Sequence, residues 1–143
     1  CLELINAFHR LYQLDLILDE IETIPDYFQP NYSCKYISII GNSLKSIPFS
    51  ITNFHELESI SIHAPITEIP NFFARWVKIK NIKFPSYSIK TIPWLLALRG
   101  DLVFEIFANQ ENLKVILCWR GIQVLVGATS WIRRFVVYRV LKP

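Results

Sequence analysis

Glycine is scarce in this chain, four residues in 143, and none of the four belongs to a glycine-rich loop that could cradle a phosphate. Methionine is absent altogether, and neither HExxH, GxSxG nor a paired CxxC occurs. His9, His55 and His63 lie far apart, with no serine or cysteine so placed as to make a nucleophile and base. These absences point away from an enzyme and call for no metal or cofactor. The longest apolar run, Val115 to Val126, is interrupted by Arg120 and is too short to cross a bilayer as a helix. Disorder is excluded from the opposite side, because hydrophobic residues make up 52% of the chain and charged ones only 19%.

What is present is a period. Ile24-Pro25, Ile47-Pro48, Ile69-Pro70 and Ile92-Pro93 recur at a near-constant step of about 23 residues, the step into the third copy being one shorter than the others. Self-similarity at that spacing is the mark of stacked repeats. Ahead of each dipeptide stands the same apolar ladder: Leu11, Leu14, Leu16 and Ile21; Cys34, Ile37, Ile39 and Leu44; Leu57, Ile60, Ile62 and Ile66; Ile79, Ile82, Phe84 and Ile89. Side chains two apart share one face of a strand, so the central pair of each ladder points inward. The proline fixes its own φ and biases the isoleucine before it away from helix, which turns the chain at one corner. Three residues later Phe28, Ile51, Phe73 or Leu96 can fill the opposite side, with Phe54 and Trp76 as further wedges.

The ladder reads LxxLxLxxNxLxxIP, and over residues 11–98 it resembles the leucine-rich repeat family, in its short Ile-Pro form of about 23 residues. The resemblance implies an α/β solenoid: a right-handed superhelix with a parallel sheet on its concave face, irregular or short helical convex segments, and a capping element at the C-terminal end. Residues 1–10 then read as the end of a preceding repeat or an N-terminal cap, 11–116 as four clear repeats and a degenerate fifth, and 117–143 as the C-terminal cap. The fifth would use Phe104, Ile106 and Asn109, closed by Leu113 and Ile116. With Cys1 lying inside what reads as a repeat, the chain is expected to be a section of a longer protein.

Departures from the pattern locate its weak points. The family asparagine, whose amide bonds the backbone of neighbouring turns, is Asp19, Asn42, Pro65 and Tyr87 in the four copies, so only Asn42 retains it. The third copy is one residue short beside Pro65, where the stack is expected to be irregular. At the wedge position the first and last copies carry Asn31 and Arg99, which Tyr32 and Leu98 are expected to cover.

Alternation along the strands sorts the outward side chains into columns. Gln13, Tyr36, Ser59 and Asn81 form the first, Asp15, Ser38, Ser61 and Lys83 the second, and Ile17, Ile40, His63 and Pro85 the third. Leucine-rich repeat proteins generally bind partners on this face, so the resemblance implies non-catalytic recognition of a protein partner there. An aromatic ring, exposed aliphatics and small serines suit such a surface. The alternative is the substrate-recognition segment of a larger kinase, ubiquitin ligase or receptor whose catalytic part lies outside this chain.

Charge and cysteine usage bear on the remaining classes. Residues 1–30 carry six acids against Arg10, a net of −5, and residues 113–143 carry six bases and no acid, a net of +6. Such a gradient is expected simply to solvate two caps; the other uses are steering a partner and driving head-to-tail association, a structural role that competes with partner recognition. Arg75, Lys78, Lys80 and Lys83 mix with Phe72, Phe73 and Trp76 as in nucleic-acid binders, but the aromatics fall on convex core positions, which argues against nucleic acid. Ser130 to Leu141 reads either as a helix capped by Ser130 or as a β-branched strand, and contact of this basic segment with a membrane surface is the less favoured use. Cys1, Cys34 and Cys118 are odd in number, and Cys34 occupies a ladder position, so a buried thiol in a reducing, cytoplasmic setting is expected. The triplet Asn31-Tyr32-Ser33 is a chance-level glycosylation match.

Overall fold

The computed structural model describes residues 2–85, 88–89, 93–97, 99, 102–107, 123–129 and 132–138. Five short strands follow one another along the chain: β1 (Gln13–Ile17), β2 (Tyr36–Ile40), β3 (Ser59–His63), β4 (Asn81–Phe84) and β5 (Val103–Phe107). Each pairs in parallel with the next. Two further strands, β6 (Gln123–Thr129) and β7 (Ile132–Tyr138), pair antiparallel to each other, and β7 runs antiparallel to β5. The sheet order is β1-β2-β3-β4-β5-β7-β6. Of the two readings open for Ser130 to Leu141, the described residues adopt the strand.

Short helices occupy the connections. A 3-10 helix spans Leu2–Ala7, two more span Phe49–Asn53 and Asn71–Arg75, and a single α-helical turn, α1, covers Trp94–Ala97. The last three each begin directly after the proline of an Ile-Pro step. Pro48 and Pro70 hold extended backbone at φ −71° and −62°, and the N–H of Ile51, Phe73 and Leu96 bonds back to the carbonyl of Pro48, Pro70 and Pro93. A proline fits at such a start because its missing N–H would have no helical acceptor. Among the described residues no helix is long and apolar enough to cross a membrane.

The core lies between the sheet and these connections. In the second and third copies every ladder residue is buried, with Cys34, Ile39, Leu44, Leu57, Ile60 and Ile62 at 0% exposure. Fully burying one such aliphatic side chain contributes about 1.5–3 kcal/mol. The other side is filled by Phe28, Ile51, Phe54, Phe73, Trp76 and Leu96, all buried, with Phe28 edge-on to Phe54 and Phe73 packed on Trp76. On β5 the backbone of Phe104 and Ile106 pairs in register with Ile82 and Phe84. Asn109, Leu113 and Ile116 lie outside the described residues, as do Cys1, Tyr87, Ile92, Leu98 and Cys118.

Four expectations need revision or refinement. In the first copy Ile21 is 37% exposed and Leu11 half-buried, because β1 is an edge strand covered by a neighbour on one side only; Leu18 carries the inward alternation instead. Asn42 is exposed and Asn31 is the buried asparagine. Its Nδ2 donates to the Phe8 carbonyl at 3.1 Å, and its Oδ1 accepts from the N–H groups of Ser33 and Cys34. Asn31 therefore fills its own wedge position, leaving Tyr32 exposed and stacked on His55 at 4.9 Å. Finally, the short third copy shows in the register. Ile60 pairs with Ile37 before it and with Ile82 after it, the second step being the shorter, and β3 and β4 share three paired positions where β1 and β2 share five.

Candidate protein-binding face

Parallel pairing brings the outward columns together across the strands. Gln13, Tyr36, Ser59 and Asn81 are successive partners, as are Asp15, Ser38, Ser61 and Lys83, and Ile17, Ile40 and His63. The β4–β5 register pairs Asn81 with Val103 and Lys83 with Glu105. Pro85 lies past the end of β4 and is half-buried, so the third column is regular only as far as His63.

Exposure is graded along this face. On β1 and β2, Gln13, Asp15, Ile17, Tyr36 and Ile40 are exposed, whereas Ser38, Ser59, Ser61, Asn81 and Lys83 are half-buried. Ile17 at 70% is among the most exposed aliphatic residues described, and Ile40 beside it stands at 40%. An adjacent aliphatic pair that stays this open is apolar surface available for burial. Two short serines on β2 and β3 leave the middle of the face low, between Tyr36 on one flank and the Ile17, Ile40 and His63 column on the other.

Just before each strand runs a further row that the outward columns do not include. Tyr12 meets Tyr36 edge-to-face with centroids 5.4 Å apart. Glu58 accepts from Lys35 at 2.8 Å and from Lys80 at 3.1 Å, linking three consecutive strands. These bonds, Lys35 foremost, hold the Glu58 carboxyl below its ordinary range and raise the Lys35 ammonium. The contact with Tyr12 raises the Tyr36 phenol. The alternating signs of Lys35, Glu58 and Lys80, which recur with the Ile-Pro period, are the sequence signal for this row.

Elsewhere the polar groups brace the fold. The Asp26 carboxylate accepts from the Ser50 N–H at 2.6 Å, and the Ser50 hydroxyl in turn accepts from the Phe28 N–H at 3.1 Å. Arg99 donates to the carbonyls of Trp76, Val77 and Ile79, which makes it, like Asn31, a polar wedge bonded to the preceding turn. Burial pushes the Cys34 thiol up to about 11, out of reach of thiolate chemistry at neutral pH. No group of three or more His, Cys, Asp or Glu side chains that could hold a metal ion occurs among the described residues. A shallow depression of about 440 Å³, lined by Ala7 to Leu11, precedes β1 and is not part of the strand face. No protein-family model, curated protein or solved structure matches the chain.

Proposed function

We propose that this chain is a leucine-rich repeat solenoid, a right-handed superhelix, whose open strand face binds a protein partner without catalysis. The observation that carries the reading is the in-register alignment of exposed side chains on β1–β3, with Tyr36, Ile17 and Ile40 standing open beside small serines. Support for the solenoid comes from the parallel strand order, the strand-to-strand offsets that match the Ile-Pro period, and the helical turns that follow the Ile-Pro steps. Across the five parallel strands, four spacings of about 4.8 Å make a face ~19 Å wide. That is a fraction of a standard interface, which takes about 800 Å² from each partner.

The test is affinity capture with the wild-type chain and two variants. Ser61→Arg raises the floor of the face, and Val77→Arg adds the same side chain at an 84% exposed position off the strands. A partner lost from the first and kept by the second supports the reading, provided circular dichroism shows both variants folded. A partner kept by both moves the binding surface elsewhere.

A further inference from the structure

We infer that the partner presents an extended segment of the pattern basic–x–apolar–x–basic, which lies along β1 and β2 with its apolar side chain on Ile17 and Ile40; this rests on the proposed use of the strand face. Residues 13 to 19 alternate between exposed and buried without a break, so Asp15, Ile17 and Asp19 follow one another on the outward side at two-residue spacing. Ile17 is thereby flanked by a carboxylate before and after it along the chain, and Glu20, also exposed, adds a third acid at the far end.

Charge decides the chemistry of the occupant. Residues 1–30 carry a net of −5. The cations nearest in register are already engaged, Lys35 with Glu58 and Lys45 with Glu22. Asp15 accepts from the Gln13 side chain at 2.8 Å, a neutral partner that fixes the carboxylate and leaves its charge in place. An apolar side chain settling on Ile17 and Ile40 therefore enters a negative surround, which favours basic residues on either side of it and disfavours acidic ones.

Spacing decides the conformation. An extended chain rises about 3.3 Å per residue, so its side chains at i, i+2 and i+4 share one face ~6.6 Å apart. β1 sets Asp15 and Ile17 at that same step, and Asp19 follows on the outward side in the turn just past Leu18, whose N–H still bonds the Ile40 carbonyl. A helix keeps residues on one face only by alternating i+3 and i+4 steps, ~4.5 and ~6.0 Å of rise, and so does not hold an even ~6.6 Å step over three residues. β1 and β2 are each five residues long, which matches a segment of about five residues lying along them.

Fluorescence anisotropy with three labelled peptides tests this at low salt: one centred on Lys-Thr-Val-Thr-Lys, one with glutamate for lysine, and one with serine for valine. The first is expected to bind about tenfold more tightly than either of the others, and to weaken as salt is raised. Asp15→Lys combined with Asp19→Lys should reverse the preference toward the glutamate peptide, and Ile17→Ser should remove the advantage of valine over serine. Equal binding of all three peptides, or a lysine preference that survives the double reversal, overturns the inference. If wild-type protein binds none of them while a captured partner is still lost from Ser61→Arg, the segment chemistry is wrong and the face stands. If that partner stays bound to Ser61→Arg, the face itself is wrong.

Discussion

Asn31 reaches back to Phe8 in the preceding turn, its side-chain amide donating to the Phe8 carbonyl at 3.1 Å while its own oxygen takes the N–H groups of Ser33 and Cys34. One short polar side chain thus satisfies three backbone groups in a slot filled by Phe54 and Trp76 in the next two copies. Asn31→Leu supplies apolar bulk but strands those groups, and an unmade buried hydrogen bond costs about 1–3 kcal/mol. We expect the urea midpoint to fall accordingly. An unchanged midpoint would show that the leucine packs well enough to make the bonds dispensable. The same burial leaves the amide unavailable for glycosylation in the folded chain.

The inward ladder was legible because strand pleat and burial share a period of two, so Ile37, Ile39, Ile60 and Ile62 declare themselves by spacing alone. The strand face followed from the same alternation. What spacing could not reveal was the role of Asn31 and Arg99, since a polar residue in an apolar slot makes sense only when the carbonyls of the preceding turn are in view. Leu18 was missed for a related reason: its inward direction continues past the strand end, where the pattern expects an irregular turn. The Lys35, Glu58 and Lys80 row depends on long flexible side chains meeting across strands, and only its alternating signs foreshadow it.

Ile60 sits at 0% exposure with a paired aliphatic on either side, Ile37 and Ile82. Ile60→Ala should therefore cost about 2–5 kcal/mol, the range for a core truncation that cannot collapse. Leu11→Ala, at a half-buried position before the edge strand, should cost distinctly less. Denaturant titration of the two variants checks the order, and a silent Ile60→Ala would invert the assignment of inward and outward sides.

Acid should weaken the fold in part through two carboxylates. The Ser50 N–H, then its hydroxyl, holds Asp26 below its usual 3.8, and Lys35 with Lys80 holds Glu58 below its usual 4.5. A depressed folded-state value means stability that is complete above the ordinary value and lost as pH falls through the lowered one. The melting temperature should be level from neutrality to about pH 5 and decline below about pH 4. Asp26→Asn and Glu58→Gln should each flatten part of that decline, and an acid limb identical to wild type in both would remove these groups from the account.

Cys34 is fully buried and its thiol is raised to about 11. The nucleophile toward alkylating reagents is the thiolate. Iodoacetamide at pH 8 should leave Cys34 unmodified in the native chain and alkylate it in urea, as read by peptide mapping. Labelling at equal rates in both conditions would show that this part of the core opens readily.

Gly41 occupies the slot held by Leu18 in the first copy and Ala64 in the third, and a methyl group there would fit only if its neighbours gave by a few tenths of an ångström. A Cβ there would come within 3.0 Å of the Leu44 Cβ and 3.3 Å of the Leu18 carbonyl oxygen. Both obstacles are close to or part of the backbone, so neither can swing aside as the end of a long side chain would. The Gly41 N–H also bonds the His63 carbonyl at 3.0 Å, tying the position to the next strand. Gly41→Ala should then destabilise by about 1–3 kcal/mol through overpacking, despite alanine's lower unfolded-state entropy. Ala64→Gly opens a small void without a clash and should cost less. A thermal melt of Gly41→Ala at or above wild type would mean that the Leu18 and Leu44 turns can separate by a few tenths of an ångström without loss.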